Sequence, residues 1–350
     1  MQELSQRIKN ARVMRGCSLD ELAQKMGNLV SKQALSKYER GIMKPSGKVI
    51  FQIASALDLK VDYFLRPMTT VENVEFRKKS SLPKMKEKQI LEIVRDNAER
   101  YLELEHLLSI GSDFCNPIQG IIVQDGSEIE NVVRELRKSW WVGMRELRNI
   151  LELLEDKGIK VIEIEQSDKF DGLSAMVNNG KIPVVVINKN LSIERKRLTV
   201  MHELGHLLIT FSEQCSDQQI EKLCHKFANA MLLPKQSLID EIGEKRRNVS
   251  IQELIAIKEQ YGISISAILV RLFDLGIISE SYYRSFYIRY ITKNRSEENL
   301  GKYNGIESSS RFDMLLFRAV SEGIITMSRA AELSNVKITD FRDKYFNYDR

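Results

Sequence analysis

The chain has 350 residues, 43% of them hydrophobic and 29% charged, with a net charge of +5. Such a chain is too long for one small core and too ordinary in composition for a fibrous or low-complexity protein. Its four cysteines (Cys17, Cys115, Cys215, Cys224) are scattered without C-x-x-C spacing, and no apolar run approaches the ~18 residues of a membrane helix, so the expected setting is a reducing cytoplasm with no membrane partner.

The charge is uneven. Residues 1–66 hold 12 Lys+Arg against 6 Asp+Glu, which leaves the rest of the chain close to neutral. A local basic excess on a small domain points to a polyanion, most often nucleic acid. "LSQRIKNARVMRG" sets Leu4, Ile8, Ala11 and Met14 on one helical face. Ser18 opens "SLDELAQKMG" as a capping box with Glu21, and Gly27 ends that helix. Ser31 caps "KQALSKYERG", which stops at Gly41. Pro45 and Ser46 begin a helix through "VIFQIASALDL", and "VDYFL" closes the unit. Five short helices, with a basic third one after a tight turn, predict a helix-turn-helix domain over 1–66.

The string "SLDELAQKMG…VSKQALSKYERGIMKPSGKVIFQIASALDL" resembles the Xre family of helix-turn-helix repressors, most specifically in its "S.YE.G...P" part. The resemblance implies that the helix after Ser31 enters the major groove of a double-stranded DNA operator. Ser31, Lys32, Gln33, Ser36 and Lys37 then lie nearest bases and phosphates. Gln pairs bidentately with adenine, and Lys reaches guanine or phosphate. "GNLVS" carries two more residues than the shortest turns of the family. Groove-reading modules commonly act as twofold dimers, so a homodimer is expected.

"RPMTTVENVEFRKKSSLPKMKEK" is polar, lysine-rich and broken by Pro67 and Pro83, and reads as a linker or arm. From Lys84 a long helix follows with Ile90, Val94, Ala98, Tyr101 and Leu108 along one side, completing a linker-and-helix segment over 67–116. His106 on it is assigned no function. An α+β domain is expected over 117–248. There "IENVVRELRKSW" and "MRELRNILELLEDKG" read as helices, and "IKVIEIE", "LSAMVN" and "VVVIN" as short strands. Residues 249–350 read as a helical region with a packing or regulatory role, in which "ITKNRSEENLGKYNG" is an exposed loop. The fold class is therefore mainly α with one α+β domain.

The chemistry concentrates in "RLTVMHELGHLLIT", residues 197–210. Ser192 is the N-cap, and Leu198, Met201, Leu204 and Leu208 form an apolar stripe. His202 and His206 are four apart and project from one face, as two imidazoles must to grip one tetrahedral ion. Glu203 lies beside them and can receive a proton from water. Three of the four histidines fall between 202 and 225, which makes chance a poor explanation. Zinc needs a third ligand, and the next amphipathic helix, "SDQQIEKLCHKFANAMLLP", offers Glu221 and His225 on one face. Ser216 and Gln219 form its capping box, and Pro234 follows its end. Spacing alone does not choose between Glu221 and His225, and Cys224 is the weaker candidate.

"RKRLTVMHELGHLL" with "EKLCHKFANAMLLP" resembles the ImmA/IrrE family of metallopeptidases, over roughly residues 120–280. That family pairs HExxH with a downstream E..A..FA..LL.P helix in a zincin-like fold. The resemblance implies a gluzincin-like site in which His202, His206 and Glu221 hold Zn2+, with Mn2+ as the alternative metal, and Glu203 is the catalytic base. Cys224 replaces the first Ala of the pattern, and His225 stands where relatives often carry Asn, which implies a supporting or substrate-facing role. No oxyanion donor is singled out; Arg271 and the tyrosines are the residue types at hand. The whole chain resembles a fused Xre–ImmA/IrrE regulator. Its implied function is cleavage of an Xre-type repressor (itself, a sister chain or a separate partner) to relieve repression. A non-proteolytic metal-containing sensory repressor and an antitoxin-like component of a toxin–antitoxin operon are the alternatives. Glu203 argues against the sensor, since a structural site needs no base.

Overall fold

A computed structural model describes residues 2–66, 68, 71–76, 83–111, 114–167, 169–292, 297 and 299–346. The first unit comprises α1 (Gln2–Met14), α2 (Leu19–Lys25), α3 (Lys32–Glu39), α4 (Gly47–Ala56) and a 3-10 turn over Val61–Phe64. Its boundaries follow from caps. Ser18 and Glu21 make both bonds of a capping box, and the hydroxyls of Ser31 and Ser46 accept from the backbone N–H groups of Ala34 and Val49. Between α2 and α3 the chain turns through Gly27 and Asn28, both left-handed at φ 64° and 55°. Glycine takes that conformation without steric cost. Ile8, Ala11, Leu22, Leu35 and Ile53 form the buried centre. The "YE" of the sequence motif has a structural role here: Tyr38 is buried, and Glu39 accepts two bonds from Arg12 on α1 at 2.6 and 2.9 Å.

The second unit begins earlier than composition suggests. Its elements are β1 (Val71–Phe76), α5 (Lys84–Leu107), β2 (Ile122–Val123), α6 (Ile129–Ser139), α7 (Ile150–Asp156), β3 (Lys160–Ile164), β4 (Gly172–Val177), β5 (Ile182–Asn188), α8 (Ile193–Leu208), β6 (Thr210–Phe211), α9 (Asp217–Leu232) and α10 (Lys235–Ile242). Four strands form a sheet in the order β1-β4-β5-β3, with β3 and β5 parallel and β4 antiparallel to both its neighbours; β2 and β6 form a separate parallel pair. β5 is buried along its whole length because both faces of the sheet are covered. Val184 and Val186 pack with Ile90, Val94 and Ala98 of α5, while Val185 and Ile187 pack with Val200, Leu204 and Phe227 of α8 and α9.

Two expectations about this unit are corrected. Part of the stretch read as a linker is the edge strand β1. Its apolar residues 71, 74 and 76 slip out of period-two phase, and the register carries one extra residue between Glu72 and Glu75, a bulge that hides the strand from alternation. Pro67 and residues 77–82 of that stretch lie outside the described residues. The helix read from Met144 starts only at Ile150, behind the N-cap Asn149. The carbonyls of Gly143 and Arg145 accept from Arg137, that of Met144 from Ser237, and those of Leu147 and Arg148 from Arg197. Side chains have taken the acceptors that a helix needs for its own amides.

The tail comprises α11 (Ile251–Tyr261), α12 (Ile265–Asp274), α13 (Glu280–Phe286) running into a π-helical turn over Tyr287–Ile291, α14 (Arg311–Ser321), α15 (Met327–Leu333) and α16 (Ile338–Phe346). It does not form one region. Leu254, Ile257, Ile268 and Leu272 of α11 and α12 share a core with Met201, Leu204 and Phe227, whereas Leu316, Ala319, Ala330 and Phe341 pack on Tyr101 and Leu104 of α5. The loop over 291–305 is not simply exposed. Glu297 is buried and accepts from the backbone N–H groups of Ile265 and Ser266, and Tyr303 is buried against Arg197. Residues 293–296 and 298 of that loop lie outside the described residues. α5 is thus the spine. It carries the sheet and the last three helices, and its Glu99 and Asp96 bind Arg7 and Arg66 of the first unit at 2.6 and 2.8 Å. No helix among the described residues is long and apolar enough to cross a membrane.

Candidate metal centre and nucleic-acid interface

α8 is positioned by an anchor that sequence reasoning did not identify. Arg197 is 0% exposed, and its guanidinium donates to the carbonyls of Leu147, Arg148, Tyr261 and Gly262, pairs with Glu307 and lies 4.7 Å from the Tyr303 ring centroid. Within "RKRL" it looks like one of several solvated bases; only its place on the apolar side of α8 hints at burial. One turn and a half later come His202 and Glu203, both buried.

α9 approaches α8 at Gly205. A Cβ there would lie 3.2 Å from the Phe227 ring and 3.3 Å from the Cys224 sulfur. Glycine in the fourth position of "HELGH", opposite the small Cys224, therefore lets the two helices close and brings Glu221 to the histidines. His202 Nε2 and His206 Nε2 stand 3.2 Å apart, and each is 3.4 Å from a Glu221 carboxylate oxygen. Donors bound tetrahedrally at zinc distances of about 2.0–2.1 Å are roughly 3.3 Å from one another, so the two imidazole nitrogens, with Glu221 Oε2 beside His202 and Oε1 beside His206, have the spacing such an ion needs. His202 first, and then His206, hold the Glu221 carboxyl well below the usual carboxylate range.

His225 joins the cluster as well. Its ring lies 4.2 Å from that of His202, and one donor atom each from His202, Glu221 and His225 fall within 4.8 Å of one another. Both candidate third ligands, Glu221 and His225, therefore stand beside His202. Glu203 points to the sheet: its Oε2 accepts from the Ser174 hydroxyl of β4 at 3.0 Å. The signal for Ser174 is a lone hydroxyl inside the apolar strand "LSAMV". A cavity of about 710 Å³ opens between the ends of β4 and α8, with Met176, Asn178, Leu207 and Thr210 in its wall. Arg271 is committed elsewhere. It is buried, donates to the Leu233 carbonyl at 3.0 Å and pairs with Glu130, so it braces α12 against α6 and α9 rather than facing the cluster.

On the first unit, Ser31, Lys32, Gln33 and Lys37 are exposed and Ser36 is half-buried, all on or beside α3. Ser31 spends its hydroxyl on the cap. The Lys32 ammonium pairs with Asp20 of α2 at 2.5 Å, an exposed contact of little strength. His106 is exposed on α5, away from these groups in the chain.

Residues 8–64 match the helix-turn-helix family model, and residues 154–273 match the model of the IrrE N-terminal-like domain, a peptidase family. The second match runs through α8 and α9 and on into α12. No curated protein matches the chain. The chain thus joins an Xre-like helix-turn-helix DNA-binding domain to an ImmA/IrrE-like metallopeptidase-family domain, the architecture of a regulator that carries its own protease-like domain.

Proposed function

We propose that this chain is a DNA-binding transcriptional regulator whose second domain is a zinc-dependent endopeptidase that cleaves a repressor-type protein, itself or a partner, to relieve repression. The observation that carries the reading is the pair of imidazole nitrogens of His202 and His206, 3.2 Å apart and each 3.4 Å from one of the two Glu221 carboxylate oxygens, with Glu203 next in sequence to the first of them. These three residues are the metal ligands, Glu203 is the base, and His225 faces the substrate.

When bound, zinc supplies Lewis acidity toward water and the scissile carbonyl. The chain's own residues handle the proton. Glu203 accepts it from the attacking water and returns it to the leaving amine nitrogen, as the C–N bond breaks and a C–O bond forms. The Ser174 hydroxyl, 3.0 Å from Glu203 Oε2, fixes the carboxylate's orientation for both transfers. On the DNA side, a homodimer reads a double-stranded operator through α3, with Gln33 toward a base edge and Lys37 toward phosphate. Lys32 must leave Asp20 to take part.

The test is incubation of the purified protein with Zn2+ or Mn2+, alone and with Xre-type repressors, beside Glu203→Gln. Cleavage should fall at least ~100-fold in the variant while its metal content stays unchanged. Equal cleavage by the two proteins would sink the assigned role of Glu203. No cleavage under any condition would favour a non-proteolytic sensory repressor.

A further inference from the structure

The sheet edge beside Glu203 is occupied from within the chain. β4 supplies Ser174 to Glu203, and on the side away from β5 it pairs antiparallel with β1. The register sets Glu75 opposite Ser174 and Val71 opposite Val177, so β1 runs along β4 from Leu173 to Val177. β1 comes from the connector between the DNA-binding unit and the site-bearing unit, not from the β3–β5 segment that builds the site. An extended polypeptide recognised through a sheet edge hydrogen-bonds to the outermost strand's unpaired backbone groups. Along β4 those groups already have β1 as their partner.

We propose that residues 71–76 are an internal plug, and that an extended polypeptide reaches Glu203 only when this strand leaves β4. The inference rests on the peptidase reading of the site. Three features make the plug releasable. It is six residues long, it pairs on one side only, and its ladder is interrupted by the bulge between Glu72 and Glu75. It is also tied to the DNA-binding unit. Arg66, held by Asp96 at 2.8 Å and Asp62 at 3.3 Å, accepts from Arg7 through its carbonyl and precedes Val71 by five residues. Five residues span at most about 17 Å, so Arg66 cannot stand further than that from Val71 without drawing β1 off the sheet. Release of the plug is therefore coupled mechanically to displacement of the helix-turn-helix domain.

Two forms of the full-length, zinc-loaded protein test this. In one, residues 71–76 are replaced by an alternating Gly-Ser run; in the other, Val71→Cys with Val177→Cys is oxidised to cross-link the register partners. Hydrolysis of labelled casein, an unfolded probe, should rise about tenfold in the first form, and should fall about tenfold in the second until reductant is added, in line with local release gating access. Equal hydrolysis by the plugged, cross-linked and replaced proteins would overturn the plug, while leaving the peptidase reading intact if Glu203→Gln still abolishes it. A second readout needs no catalysis. Amide exchange over 172–177 should speed up in the Gly-Ser form and slow again when a synthetic peptide of residues 68–80 is added. No hydrolysis by any form would count against the peptidase reading instead; fast exchange that the peptide leaves unchanged would overturn the proposal itself.

Discussion

α3, of 8 residues, and α8, of 16, are helices of similar promise and opposite construction. α3 presents Lys32, Gln33 and Lys37 outward, and everything that holds it (the Ser31 cap, the Arg12–Glu39 pair, Leu35 in the core) comes from within the first 66 residues. α8 is buried, and its anchor Arg197 collects partners from residues 147, 148, 261, 262, 303 and 307. A surface that reads DNA tolerates local support, because its ligand arrives from solvent. A site that must hold donor atoms a few tenths of an ångström from ideal spacing is over-determined from many directions.

That contrast has consequences that can be broken. Arg197→Met leaves the Glu307 carboxylate and several carbonyls buried without their donor, and should cost about 3–5 kcal/mol in urea unfolding. Arg12→Met, which removes the partly exposed pair on α1, should cost about 1 kcal/mol. Equal losses would mean that α8 is no more deeply anchored than α3. Next in size are the effects on DNA. Gln33→Ala should lose about 1–3 kcal/mol of operator preference, while Lys37→Ala should weaken all sequences alike and lower the salt slope by about 1. Operator gel shifts unaffected by both would place the reading surface elsewhere on the domain.

A further, pH-dependent effect concerns α7, whose Glu155 is buried. Burial pushes its carboxyl up to about 7, against hydrogen bonds from the Tyr101 hydroxyl and the Val161 N–H that pull the other way. A folded value above the unfolded one means that stability from this group is complete below about 4.3 and is lost as pH rises through about 7. The melting temperature of the wild type should therefore fall relative to that of Glu155→Gln between pH 5 and 8. Parallel curves would show that Glu155 does not titrate there.

Much of this was legible in the sequence, and the reason is locality. Ser18 with Glu21, Ser216 with Gln219, and the caps Ser31, Ser46 and Ser192 all mark helix starts that the structure shows, because a cap is decided by residues three apart. The continuous run "VVVIN" signalled a strand covered on both faces. What escaped depends on distant partners. The first part of the helix expected from Met144 is missing because Arg137, Ser237 and Arg197 capture its carbonyls, and no periodicity within the segment encodes that. β1 was hidden by its bulge. At the site, i and i+4 spacing brought forward both Glu221 and His225, and both are in the cluster. The choice between them needs the approach of α9 at Gly205, which is a property of two helices and not of either string.

The central claim is that His202, His206 and Glu221 form one metal site. Zinc content per chain, measured after dialysis of the wild type, Glu221→Ala and His225→Ala, tests it directly. The account predicts one zinc per chain in the wild type, near-complete loss in Glu221→Ala and retention in His225→Ala. Zinc retained by Glu221→Ala and lost by His225→Ala would contradict it.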